Sequence, residues 1–147
     1  MPHRSLFVDR VLVIAWQMPE EADLAAIGEK LAQRHAELGR PLLYLSVIGA
    51  RAIPSPAVRE AMVPFFRQVL TLCESMHVVA EGAEPVLKVK LGFIQDTLGR
   101  IGAEQARVYV ANSVVDIGAA SPEAVRPEIA RALRQANAKR LLEFVGP

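Results

Sequence analysis

Few of the residue patterns that announce a chemistry occur in this chain. It has one cysteine, Cys73, which excludes an internal disulfide framework and fits a reducing compartment. Its three histidines, His3, His35 and His77, are scattered, with no HxxxH pair and no cysteine at ligand spacing, so no metal site is expected. The chain contains neither GxxxxGK followed by Ser or Thr nor GxGxxG, and it lacks the nucleophile elbow GxSxG. No apolar run reaches the roughly 18 residues needed to span a bilayer, so no transmembrane segment is expected. The opening MPHRSLFVDR has no apolar core of signal-peptide type, which makes a cytoplasmic location the expectation. The net charge is only +1 and the basic residues are dispersed, so no nucleic-acid footprint is present. No cofactor is expected.

What is present describes a folded domain. The chain has 147 residues, 52% hydrophobic and 22% charged, enough for one domain with one respectable core. Ser5 to Val8 and Val11 to Gln17 are strand-like, joined at Asp9-Arg10 either by a tight turn or within one bent strand. Val11 to Trp16 is almost continuously apolar, as in a strand covered on both faces. Pro19-Glu20-Glu21 then opens a helix that Gly39 stops. Residues 41–48, PLLYLSVI, form the next strand. A second helix is expected over 56–74, with Pro64 kinking or dividing it and with Cys73 and Met76 on its apolar side. HVVAEG, 77–82, is a short strand. A third helix starts at Glu84-Pro85 and closes at Gly102, and ARVYVA, 106–111, is the last strand. Ser113 to Asp116 reads as a capping box, and a final helix starts at Ser121-Pro122 or restarts at Pro127. This alternation predicts an α/β fold: a single domain over residues 1–147, with four or five mostly parallel strands and about four helices.

The joint IGARAIPSPAVREAM, residues 48–62, is the first candidate site. Ser55-Pro56 is an N-cap signal, with the serine oxygen accepting an orphan amide and proline filling the first helical position. A helix N-terminus also favours anions, and Arg51 and Arg59 can flank one, so Ser55, Arg51 and Arg59 are the anion or phospho-site candidates. Glu81 and Glu84 flank Gly82 at a strand end, where two carboxylates can do acid–base work or serve as solvated loop charges. No catalytic residue is assigned.

The segment LLYLSVIGARAIPSPAVREAM followed by HVVAEGAEP resembles the SpoIIAA-like or STAS-like superfamily, in particular its small uncharacterised bacterial members. The residues carrying the likeness are Pro54, Pro56 and Arg59 and the strand end Val78 to Gly82. The resemblance implies a sheet flanked by helices, acting as a regulatory binding module. In anti-sigma-factor antagonists of that group a phosphorylatable serine follows a strand within an Asp-Ser-Ser-Gly-like motif. The similar position here is Ser55, but its surround is Pro-Ser-Pro.

The third helix carries two apolar arcs. Leu87, Leu91, Ile94, Leu98 and Ile101 fall within roughly 80° and form the expected core stripe. Val86, Val89 and Phe93 form a second arc, with Lys90 and Thr97 between the two on one side. One sheet face needs only one stripe, and an exposed second stripe marks an interface. The leading expectation is therefore a non-enzymatic protein–protein interaction module, a homo-oligomer or one that takes a protein partner, with Val86, Val89 and Phe93 as interface candidates. The alternative is a small-molecule protein, binding an anion or lipid or acting as an enzyme, that uses the strand ends near Gly49 and Gly82.

Overall fold

A computed structural model of the chain describes residues 3–49 and 52–145. Arg51, one of the anion-site candidates, lies outside the described residues. The first two strands, β1 (His3–Val8) and β2 (Val11–Trp16), form an antiparallel hairpin. Asp9 takes φ 53 at the turn, so the tight-turn alternative is the one observed. The chain continues through α1 (Glu21–Leu38), β3 (Leu42–Ile48), α2 (Pro56–Leu72), β4 (Cys73–Ala80), α3 (Val86–Ile101) and β5 (Val108–Ala111). It ends with α4 (Val114–Ala120), α5 (Arg126–Ala138) and a 3-10 turn at Leu141–Val145. The result is a single α/β domain with five strands and five α-helices.

The sheet order is β1-β2-β3-β4-β5, and every pair after the hairpin is parallel. Each βαβ unit steps the same way across the sheet. Because such crossovers are right-handed, three steps in one direction place α1, α2 and α3 on the same face. The alternation along each strand divides the core accordingly. Leu12, Ile14, Tyr44, Met76 and Val78 face α1–α3. Val11, Val13, Leu43, Leu45 and Val79 face the other way and meet Ile117, Val125, Ile129 and Ala132 of the C-terminal region. Each large side chain buried in this way contributes about 1.5–3 kcal/mol.

Local signals explain the element ends. Glu20 and Asp23 form a reciprocal capping box at α1, and Gly39 closes that helix at φ 65, a left-handed conformation that glycine adopts without Cβ strain. Ser113 accepts from the Asp116 amide to start α4. At Gly28 of α1 the end of the Gln68 side chain from α2 occupies the space a Cβ would take, with Oε1 2.5 Å from that position.

Three expectations are corrected. Pro64 does not divide the second helix, since α2 runs unbroken from Pro56 to Leu72. Pro64 is exposed, so the carbonyl deprived of its N–H partner is on the side where water can serve it. Cys73 and Met76 are not helical; they belong to β4, which begins directly after Leu72. Burial pushes the Cys73 thiol up to about 12, so it is a small core residue and an inert one. The third correction concerns α3. Its fully buried positions are Lys90, Ile94, Thr97, Leu98 and Ile101, whereas Leu87 and Leu91 are only partly buried. The helix is rotated towards the Lys90–Thr97 side because Lys90 has hydrogen-bond acceptors beneath it.

Candidate functional site

The strand order contains no reversal, so both the loop after β3 and the loop after β4 lead to helices on the same face of the sheet. In this molecule β3 and β4 end side by side at Ile48 and Ala80. The described residues that follow, Gly49 and then Ala52 to Ser55, lie between β3 and α2. Beneath the joint lies a cavity of about 60 Å³.

Its floor is the sheet: Trp16 at the end of β2, Tyr44, Ser46 and Ile48 on alternate positions of β3, and Val78 on β4. Val58, Met62, Phe65 and Phe66 of α2 form one wall. Lys90, Phe93 and Ile94 of α3 form another, and Ala52 and Pro54 of the joint lie over it. The lining is overwhelmingly apolar, with a few polar groups turned into it, the composition of a site for a small organic molecule.

Those polar groups are specific. The Tyr44 hydroxyl is within hydrogen-bonding reach of the Trp16 and Ser46 side chains, and burial pushes it up to about 12, so it stays protonated. Lys90 is 2% exposed. Its Nζ donates to the Glu81 carbonyl at 2.7 Å and to the Gly49 carbonyl. One side chain from α3 thus ties together the chain just beyond β3 and the chain just beyond β4. Burial lowers the Lys90 pKa, and the Glu81 charge partly offsets this.

The residues singled out in the sequence are distributed around this cavity rather than gathered in it. Ser55 is the N-cap of α2 and accepts from the Val58 amide at 3.3 Å. Arg59 lies outside the cavity wall, its guanidinium 4.5 Å over the Phe93 ring, and its buried Nε has no hydrogen-bond partner among the described residues. A groove between α2 and α3 runs past it, lined by Glu60, Asp96 and Arg100 among others. Glu81 contributes its backbone carbonyl, and Glu84 is exposed. Of the interface candidates, Val89 is 45% exposed, while Val86 and Phe93 are half-buried. Phe93 serves the cavity wall and carries the Arg59 stack as well.

No family model, curated protein or solved structure matches the chain. No described helix is long and apolar enough to cross a membrane.

Lys90 is the site residue that sequence reasoning passed over. Its signal was positional. Lys90, Ile94, Thr97 and Ile101 recur at helical spacing, so a lysine continues a buried stripe. A charged residue in such a register needs a buried partner, and the partners are carbonyls that have no signature in a sequence.

A second buried polar group lies on the opposite sheet face. His77 is 0% exposed, stacked on Tyr109 at 5.4 Å between ring centroids. Its Nδ1 lies 2.8 Å from Ser121 Oγ and its Nε2 2.8 Å from Ser75 Oγ. Ser121 Oγ already donates its hydrogen to the Ile117 carbonyl. It must therefore accept from Nδ1–H, which leaves Nε2 to accept from Ser75. The ring is neutral, with its tautomer set by its neighbours, and it ties β4 to the end of α4.

Proposed function

We propose that the protein binds a small, largely apolar molecule in the cavity beneath the Gly49–Ser55 joint. The observation that carries this reading is an apolar crevice at the ends of β3 and β4 whose lining includes the polar residues Lys90, Tyr44 and Ser46. A volume of about 60 Å³ admits a molecule of a few heavy atoms and not a large cofactor. The chain's single tryptophan lines the cavity and provides an internal reporter. Titration with 1-propanol, four heavy atoms, is expected to give a saturable change in Trp16 fluorescence. Val78→Phe, which puts a ring into the space, is expected to weaken that binding at least about tenfold while the protein still melts cooperatively. A linear, non-saturating response of the wild-type protein would sink the proposal.

A second reading, contact with another copy or with a protein partner, is favoured by Val89, a large apolar side chain that α3 leaves 45% exposed next to half-buried Val86 and Phe93. Because Phe93 also walls the cavity, Val89→Glu is the cleaner test. It is expected to lower the solution mass measured by light scattering without altering propanol binding, and an unchanged mass removes the stripe from consideration. A regulatory binding module of STAS-like kind remains part of this second proposal, supported by the helix-flanked sheet.

A further inference from the structure

Resting on the cavity reading above, we propose that the occupant is a carboxylate: a short apolar body in the cavity with its anionic head on Lys90 Nζ.

The argument is one of donors and charge. An ammonium has three N–H donors in tetrahedral array. Among the described residues, Lys90 uses two of them, on the carbonyls of Gly49 and Glu81. The remaining N–H has no acceptor among those residues, and the side chain lines the cavity. Nor does any described carboxylate oxygen form an ion pair with Lys90. The Glu81 charge offsets the burial of Lys90 only in part; a buried ammonium with a donor unused among the described residues is costly, and an anionic acceptor arriving through the cavity relieves both deficits. A carboxylate relieves the charge as well as the donor; a hydroxyl or ketone relieves only the donor. The rest of the lining fits the other end of such a molecule, since Val58, Phe65, Phe66 and Ile94 offer nothing polar to it.

Ligand burial also has a direction in proton terms. Desolvation lowers the Lys90 pKa in the empty protein, and a carboxylate beside it acts in the opposite sense. Binding therefore strengthens the protonated form, and affinity falls as the pH is raised far enough to neutralise the lysine.

The experiment is a matched pair of probes small enough for the cavity, propanoate and 1-propanol, read by Trp16 fluorescence on the wild-type protein. Propanoate is expected to bind roughly tenfold to a hundredfold more tightly, the range of a hydrogen bond to a charged group. Lys90→Met, which keeps most of the side-chain volume, is expected to bring the two probes to equal affinity while propanol binding persists. Equal affinity of the two probes for the wild-type protein would overturn the carboxylate assignment and leave the cavity reading intact. Saturable binding of neither probe would overturn both. Because the comparison is made first on the unaltered protein, it holds even if Lys90→Met fails to fold.

Discussion

Acidification from pH 7 towards pH 4 is expected to cost the fold about 3 kcal/mol through His77 alone. Burial lowers its pKa from 6.5 to about 4. The sign follows from proton counts. Between these two values the unfolded chain holds a proton on this ring and the folded chain does not, so stability rises with pH across the window and is lost as pH falls through it. The structural cause is burial: a second proton would place a charge on a ring with 0% exposure. Urea unfolding of wild type and His77→Gln at pH 7 and pH 4.5 measures the effect. The variant is expected to be less stable at pH 7 but to lose much less on acidification. Parallel losses in the two proteins would show that the ring is not the titrating group.

Arg10→Met is expected to destabilise the protein by about 2 kcal/mol, with the aliphatic stem replaced and the guanidinium gone. Arg10 is 7% exposed and stands at the hairpin turn. It makes a bidentate pair with Glu128 of α5, at 2.7 and 2.6 Å, and reaches the Pro41 carbonyl at 3.2 Å and Glu74 of β4 at 3.3 Å. One side chain therefore joins four segments distant in sequence. The hydrogen bonds from Arg10 hold the Glu128 carboxyl below its ordinary range. The figure stays below that of a fully buried pair because the Glu128 and Glu74 side chains are 36% and 50% exposed, and water takes over part of what is lost. Acid loss from this pair begins as the pH falls through the ordinary carboxylate range near 4.5 and continues below it, so it overlaps only the lower end of the His77 window. A change under about 0.5 kcal/mol in urea unfolding would mean that the guanidinium is redundant.

The element order was legible because its signals are local. Ser55-Pro56, Gly39 and Ser113 to Asp116 mark helix ends through caps that involve residues within four positions of one another. The apolar runs at 11–16 and 42–48 are central strands, as continuous hydrophobicity requires of a strand covered on both sides. The start of β4 was misplaced because Cys73 to Met76 suits a helix seam as well as a strand; what decides it is pairing with Leu42 to Tyr44, a contact across about thirty residues. The same limit applies to the sites. Ser55 was visible as a cap. The Lys90 carbonyl clamp, the Ser75–His77–Ser121 relay and the Arg10 cluster were not, because each is assembled by topology from residues that are unremarkable in isolation.

The order in which the two sheet faces acquire their cover has a consequence for synthesis. A ribosome that has delivered residues 1–113 has delivered all five strands and the three helices of one side. The opposite side, with Val13, Leu43, Leu45 and Val47, waits for Ile117, Val125, Ile129 and Ala132. Throughout that interval the nascent chain presents a broad oily plane to its surroundings, the kind of surface on which holding chaperones act.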